Sequence, residues 1–237
     1  MLEDMSAPMP GEGRRARHRR EVDDRILAAA RKHLASEGAA GLSLRAVARD
    51  VGLASSAVYR YVDSRDELLT RLIETAYGDL ADAVDDAVDA APDEGLEQGF
   101  QTIAAQFRRW ALEHPHDYAL VYGSPVPGFT AAPERTPRPG TRVIARLLHR
   151  RSRSSRGGFR TSYPADALAG ARRWLAEDPQ LRDVDLGPEA LLDLLDAWTL
   201  LVGSVSREVF GQLGETAEAE ALFSSAMQLA ARIYAGA

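Results

Sequence analysis

Three observations predict an all-α fold for this chain of 237 residues. Apolar residues recur at intervals of three and four rather than two, which is the period of a helix. Alanine, leucine and arginine, all good helix formers, dominate the composition. Glycine and proline separate the apolar-patterned segments. We therefore expect a three-helix helix-turn-helix domain at the N-terminus and a larger helical domain after it.

Glycines end the first two predicted helices. Gly38 and Gly41 end the first helix, and Ser43 is a suitable N-cap for the second. Gly52 supplies a left-handed residue that stops the second helix. The first four helices are predicted at residues 21–37, 43–51, 55–62 and 65–91.

The remainder of the chain is also helical, with two loops. Five prolines in residues 123–140 predict a loop there. The Ser/Gly/Arg-rich residues 152–162 predict a mobile segment. Gly214 separates the last two helices. The predicted helices are 94–113, 117–122, 141–151, 164–177, 188–213 and 215–234.

Charge divides the chain unevenly. Residues 1–66 hold 12 Lys and Arg against 10 Asp and Glu, whereas residues 67–237 hold 17 against 25. Five arginines fall in the seven positions from 14 to 20, so the N-terminal end is expected to bind a polyanion. We expect three parts: a basic, flexible arm over 1–20, the helix-turn-helix domain over 21–66, and the second domain over 67–237.

Several function classes are excluded by composition and motif. The chain has no cysteine, and it has no apolar stretch of about 20 residues of the kind that spans a membrane. Its N-terminus lacks the pattern of a secretory signal, so a cytoplasmic protein is expected. No glycine-rich phosphate loop, nucleophile elbow or His-Glu-x-x-His motif is present. We expect neither enzymatic activity nor a cofactor.

Residues 42–69 match the plan of two short helices joined by a tight turn. Leu44, Val47, Ala48 and Val51 would form the buried face of the first helix. Val58 and Val62, four positions apart, would bury one face of the second. Small residues opening a helix allow close approach to base edges in a major groove, and larger ones reach bases and phosphates. The residues left facing outward are Ser55, Ser56, Ala57, Tyr59, Arg60 and Tyr61.

Residues 22–73 resemble the tetracycline repressor (TetR) family of transcriptional regulators. The resemblance rests on Leu-Ser-Leu-Arg-Ala-Val-Ala at 42–48, Val-Gly-Leu at 51–53, Ala-Val-Tyr-Arg-Tyr at 57–61 and Ser-Arg-Asp-Glu-Leu at 64–68. It implies that Ser43, Tyr59 and Tyr61 contact phosphate, that Arg45 reaches a base or phosphate, and that Ser55, Ser56 and Ala57 present the recognition surface. Arg65 stands where the family usually has lysine and keeps the charge at a helix N-terminus. Arg14, Arg15, Arg17 and Arg19 belong to an arm of the kind that can enter a minor groove.

The last two helices carry a wide apolar surface, which is either intrachain core or a dimer interface. The resemblance implies a dimer formed by these two helices, and a two-fold dimer demands a palindromic operator. Residues 196–211 are similar to a Trp-His-Gly subclass through Trp198 and Gly203, although Val202 takes the usual histidine position. Candidate interface residues are Val202, Val205, Val209, Ala226, Leu229, Ala230 and Ile233.

A small-molecule effector is expected in the second domain. Phe107, Trp110, Tyr122 and Trp198 are candidate walls of its pocket, with ordinary core packing as the alternative. Seven arginines lie between Arg142 and Arg160. They are either a second polyanion contact, a patch for an anionic effector, or a solvated helix face and loop, and we favour the last.

The sequence therefore predicts a ligand-responsive DNA-binding regulator that has no membrane partner. The resemblance implies that it is a repressor and that it binds operator DNA as a homodimer. One alternative is a metal-responsive regulator, because His114 and His116 lie beside Glu113 and Asp117. The others are a helical enzyme and a helical interaction protein. The enzyme has no motif in its favour, and the interaction protein leaves Arg45 and the surface of residues 55–61 unexplained.

Overall fold

The computed structural model describes residues 13–91, 95–130, 137–153, 163–177, 181, 184–214 and 218–237. Within these ranges the chain contains nine α-helices, one short 3₁₀ helix and no strand, so the predicted all-α class is confirmed. The helices are α1 (Arg14–Gly41), α2 (Leu44–Asp50), the 3₁₀ helix (Val58–Arg60), α3 (Arg65–Ala90), α4 (Leu96–Glu113), α5 (Pro115–Tyr122), α6 (Pro137–Ser152), α7 (Ala165–Glu177), α8 (Pro188–Val209) and α9 (Ala219–Ala235).

The chain folds into two compact units. The first comprises the described residues up to Leu72 and a segment that begins at Val126, and the second comprises the rest. The division falls inside α3, six residues beyond the predicted boundary at 66. Leu68, Leu69 and Leu72 are fully buried, so the first turns of α3 contribute core residues to the first unit. The predicted boundary at residue 66 assigned these leucines to the second domain.

The N-terminal part of α1 differs from the prediction. Residues 14–20 are not a flexible arm but the first turns of α1, and residues 1–12 of the predicted arm lie outside the described residues. No glycine or proline stands between Gly13 and Gly38, so nothing interrupts the helix. Ion pairs at helical spacing, such as Arg19 with Asp23 at 3.9 Å, support it. Gly38 has a φ of 69° and breaks the helix as predicted.

Aromatic and aliphatic side chains of α4, α8 and α9 form the centre of the second unit. Phe100, Ile103 and Phe107 on α4 are fully buried there. The hydroxyl of Tyr234 donates to the carbonyl of Leu147 over 2.8 Å and ties α9 to α6. Arg108 on α4 forms a two-pronged ion pair with Glu208 on α8. This unit therefore has a core of its own.

Several predicted boundaries in the second unit are wrong, including the start of α9, which is Ala219 rather than 215. α6 begins at Pro137, four residues before the predicted start, so residues 137–140 belong to a helix rather than a loop. Proline is well tolerated in the first turn of a helix because its missing N–H is not needed there. α8 ends at Val209 rather than 213, and a turn follows. No helix among the described residues is long and apolar enough to cross a membrane.

Candidate nucleic-acid interface

The recognition segment, residues 55–61, is a pair of tight turns around the 3₁₀ helix rather than the predicted α-helix. The Arg60 N–H donates to the carbonyl of Ala57 over 3.2 Å, and the Tyr61 N–H donates to that of Val58 over 2.9 Å. Serines compete for backbone hydrogen bonds, and valine and tyrosine are weaker helix formers than alanine. The composition of the segment thus accounts for the shorter helix.

Buried valines anchor the recognition segment as predicted. Val58 and Val62 are both fully buried, and so is Val47 on α2. Gly52 has a φ of 74° in the turn between α2 and the segment, so the predicted left-handed residue is confirmed. The segment is therefore fixed to α2 through one apolar face, which determines which side chains point outward.

The predicted DNA-contacting side chains lie largely on the opposite, exposed side. Tyr59 is 47% exposed. On α2, Arg45 is exposed, while Ser43 is partly exposed and makes no side-chain capping hydrogen bond. Within the recognition segment, Ser55, Ser56 and Arg60 are also exposed, while Ala57 and Tyr61 are half-buried.

Two arginines of α1 donate hydrogen bonds to backbone carbonyls of the helix-turn-helix, a role that was not predicted from the sequence. Nη2 of Arg25 donates to the carbonyl of Val51 over 2.5 Å, at the end of α2. Nη2 of Arg19 donates to the carbonyl of Arg60 over 3.3 Å, and its guanidinium carbon lies 5.8 Å from the centre of the Tyr61 ring. Arg19 therefore contacts the recognition segment itself instead of extending in an arm.

Arg65 is also directed inward. Its guanidinium donates to the carbonyls of Ala39, at 2.7 Å, and Leu42, at 3.2 Å. Those carbonyls lie at the end of α1, where a cation is favoured. Arg65 was predicted to present its charge to DNA at the start of α3. Instead, its guanidinium links the start of α3 to the end of α1.

Of the other basic residues predicted in the arm, Arg15 and Arg17 are exposed on α1. The side chain of Arg14 lies outside the described residues. Arg15 and Arg17 are thus cations of α1 that face solvent.

His33, which was not predicted to have a role, places Nε2 2.8 Å from Oδ2 of Asp50 and so joins α1 to the end of α2.

The four aromatic residues predicted to line a pocket form core packing instead. The Phe107 ring lies 5.4 Å from that of Tyr122 and 5.5 Å from that of Trp198. Trp110 packs against His114 at 5.4 Å. Burial raises the pKa of the Tyr122 hydroxyl well above its usual value. Edge-to-face packing at these distances fills the space between the rings.

A cleft exists elsewhere in the second unit, between α6, α7 and α8. Its cavity volume is about 70 Å³, and the cleft is partly open to solvent. No single stretch of sequence predicts the cleft, because its walls come from three helices and the segment before α8. The lining residues are Thr141, Ile144, Ala145, Leu148, His149, Trp174, Leu181, Val184, Leu191, Leu194 and Leu195.

The predicted dimer residues separate into two groups. The prediction is wrong for Val205, Ala230 and Ile233, which are buried within their own chain. The tight packing of α9 on α4 and α8 accounts for this. Leu229 is 41% exposed, and Val202, Val209 and Ala226 are partly exposed. Leu222 and Phe210, 51% and 40% exposed, were not predicted.

The arginines after residue 141 are less free than expected. Arg142 approaches Asp82 at 2.8 Å and Asp85 at 2.9 Å, and Arg146 pairs with Asp85 and Asp89. Arg151 is almost completely buried. The favoured solvated face is therefore wrong for Arg151, whereas Arg142 and Arg146 are 42% and 37% exposed and pair at the surface with the acidic side of α3. Arg156 and Arg160 lie outside the described residues.

The residues suggested for a metal do not converge. Glu113 accepts a hydrogen bond from Nε of Arg109 over 3.0 Å, and the His114 ring lies against Trp110. No group of three potential metal ligands occurs in the described part of the chain.

Comparison with known proteins places this geometry in one family. Residues 26–72 match the family model described as bacterial regulatory proteins, tetR family. Residues 100–230 match that of the tetracyclin repressor-like C-terminal domain. The chain is 39% identical over 214 residues to the HTH-type transcriptional regulator Rv1816 of Mycobacterium tuberculosis, covering 85% of this chain and 86% of that one.

Solved structures agree on the fold. The crystal structure of the regulatory protein SCO4313 is 28% identical, with a TM-score of 0.74 over 94% of this chain and 98% of that one. A Rhodococcus sp. RHA1 protein of unknown function has the same fold at 22% identity, with a TM-score of 0.65 over 98% and 100% of the two chains. Both halves of the chain match family models, and a regulator matches along most of its length. The chain belongs to the TetR family of DNA-binding transcriptional regulators, which is not a class of enzymes.

Proposed function

We propose that this regulator is a repressor that binds a palindromic operator as a homodimer and is released by a small-molecule effector. The observation that carries the proposal is the outward-facing group formed by Arg45, Tyr59 and Arg60 around the buried anchors Val58 and Val62. A rigid element that buries one face and offers hydroxyl and guanidinium groups on the other is suited to a major groove.

The proposed DNA contacts follow from the positions and lengths of the exposed side chains. Ser55, Ser56 and Ala57 carry small side chains, so the backbone of the recognition segment can approach base edges. Arg45 and Tyr59 extend far enough to reach bases or phosphates. Arg15 and Arg17 on α1 add positive charge that attracts the phosphate backbone without reading sequence.

The dimer follows from the exposed apolar side chains of the last two helices. Leu222, Ala226 and Leu229 recur at helical spacing on one side of α9, and all three retain solvent exposure. Val202, Val209 and Phe210 are exposed or partly exposed on α8 and just after it. A large exposed apolar patch in a single chain indicates an interaction surface. Two recognition segments about 34 Å apart would then read a two-fold-symmetric site.

Release requires that the effector favour one conformation. A ligand in the second unit lowers operator affinity only if it binds the DNA-free conformation more tightly than the DNA-bound one. The cleft between α6, α7 and α8 lies in that unit and supplies a place for such a ligand.

Operator titrations test the DNA interface. Arg45→Ala should weaken binding to the DNA upstream of the protein's own gene by about 1–3 kcal/mol, with an unchanged melting temperature. Arg173→Ala is the matched control, because it removes the same charge from an exposed position on α7. Equal losses in the two variants would reduce the effect to net charge and contradict the proposed interface.

Sedimentation tests the dimer. Leu229→Arg places a charge in the proposed interface and should convert dimers to monomers at micromolar concentration. Leu112→Arg on α4 is the control, since Leu112 is also 41% exposed. A dimer that survives Leu229→Arg unchanged would contradict this surface.

A further inference from the structure

We propose that the cleft between α6, α7 and α8 is the effector site and that it takes an uncharged, largely apolar molecule with one hydroxyl group, which binds at His149. The inference rests on the proposed function only in calling the ligand an effector. The site and its chemistry rest on the lining residues.

The lining of the cleft suits the apolar part of a small molecule. The cavity volume is about 70 Å³ and the cleft is partly open to solvent, so it would enclose only part of a ligand. Ile144 and Leu148 line it from α6, and Leu191 and Leu194 from α8. Trp174 on α7, which is 43% exposed, adds an aromatic face on which a planar group can stack. The cleft therefore favours a compact apolar ligand.

The lining also decides the charge of the ligand. Among the described lining residues none is Asp, Glu, Lys or Arg, and nine of the eleven are apolar. A charged group placed in such surroundings loses hydration without gaining a partner. Arg142 and Arg146 on the same helix are engaged by carboxylates of α3, and Arg150 donates to the carbonyl of Gly95. An anionic ligand is disfavoured.

His149 supplies the polar contact. Its Nδ1 lies 2.8 Å from the carbonyl oxygen of Ala145, and a carbonyl can only accept, so Nδ1 carries the proton. In the neutral imidazole Nε2 is then an acceptor. A hydroxyl group of the ligand can donate to it, whereas an ether or ketone cannot. The histidine thus distinguishes an alcohol or phenol from a hydrocarbon of the same shape.

The aromatic cluster on α4, α5 and α8 is the competing location. Its rings are already packed against one another, with Tyr118 stacked on Tyr122 at 5.0 Å. Tyr118 is also held by a hydrogen bond of 2.8 Å between its hydroxyl and that of Ser206. A ligand there would have to displace this packing, whereas the cleft between α6, α7 and α8 is partly open to solvent.

Three probes of one shape test the chemistry: naphthalene, 2-naphthol and 2-naphthoate. Calorimetric titration of the DNA-free protein should show that 2-naphthol binds once per chain and about three- to tenfold more tightly than naphthalene, the effect of one hydrogen bond. The carboxylate should bind more weakly than either. Equal affinity for the phenol and the hydrocarbon, or preference for the carboxylate, would overturn the proposal.

Variants locate the binding. His149→Ala should reduce the affinity for 2-naphthol to that for naphthalene, and His116→Ala, an exposed histidine outside the cleft, should change neither. Ala145→Leu fills the cleft and should abolish binding of both compounds. Trp174→Ala removes the aromatic face without filling the cleft and should weaken binding of both. Circular dichroism confirms folding of each variant. Binding that persists in Ala145→Leu would overturn the location. Because no DNA is present, failure of these titrations leaves the operator experiments intact, and the reverse also holds.

Discussion

The contact between α4 and the last two helices gives the sharpest stability prediction. Nε and Nη2 of Arg108 donate to the two carboxylate oxygens of Glu208, each over 2.7 Å. The side chains are only 16% and 15% exposed. Arg108 also pairs with Glu220 on α9 and lies 5.0 Å from the centre of the Phe223 ring. The hydrogen bond to Glu208 is the main cause that raises the pKa of Arg108, so the guanidinium remains charged at every working pH.

Arg108→Met keeps most of the aliphatic stem and removes the charge. Breaking a fully buried ion pair costs about 3–5 kcal/mol because a carboxylate is left without its partner. Glu220 is 75% exposed and water reaches this end of the site, so we expect a loss of about 2–3 kcal/mol. For a chain of this size that corresponds to a melting temperature lower by roughly 5–10 °C.

Urea unfolding at one fixed protein concentration measures the loss, since a dimer's stability depends on concentration. Arg108→Lys keeps the charge but not the two-pronged geometry and should fall between wild type and Arg108→Met. Arg108→Met combined with Glu208→Met should recover most of the loss, because the carboxylate that then lacks Arg108 is that of Glu220, which is 75% exposed and solvated by water. A loss below about 0.5 kcal/mol, or a double variant no more stable than the single one, would refute the reasoning.

Three further predictions concern other contacts. Tyr122 has a pKa raised by burial, so above pH 10 the unfolded chain ionises first and stability falls. Tyr122→Phe should remove about 1.4 kcal/mol of that fall at pH 11, as seen in melts from pH 9 to 11; an undiminished fall would contradict burial of this hydroxyl as its cause. Replacing Arg142 and Arg146 with Met should cost about 1–2 kcal/mol at low salt and little at about 1 M NaCl; an equal cost at both would contradict an ion-pair origin. Arg25→Met should lower the free energy of unfolding by about 1 kcal/mol and weaken operator binding, because it leaves the carbonyl at the end of α2 without its donor; unchanged operator affinity would show that this contact does not position the recognition segment.

The spacing of apolar residues and the positions of glycines were sufficient to predict the elements that bury one face. Val58 and Val62 are buried because their spacing and the apolar face of α2 agree, and Gly38 and Gly52 adopt the left-handed conformation that their positions required. For residues 14–20, charge density alone was misleading: no glycine or proline stands between Gly13 and Gly38, and arginine is a good helix former, so these residues continue α1.

Tertiary contacts decided what local pattern could not. Spacing marks Val205, Ala230 and Ile233 as apolar, but it does not say whether the same chain or a second copy covers them. Arg19 and Arg65 are indistinguishable in sequence from solvent-facing cations, since the carbonyls that they contact are 41 and 23–26 positions away. The cleft needs side chains from α6, α7 and α8 at once, and no single stretch of sequence contains them.

Stoichiometric footprinting tests the central claim most directly. Purified protein is titrated onto the DNA upstream of its own gene, with the complex mass measured by sedimentation on the same fragment. The account predicts protection of an inverted repeat by an even number of chains, at least two per repeat, lost when Arg45 is replaced by alanine. A monomer that leaves the fragment unprotected in low salt, with or without 2-naphthol, would contradict it.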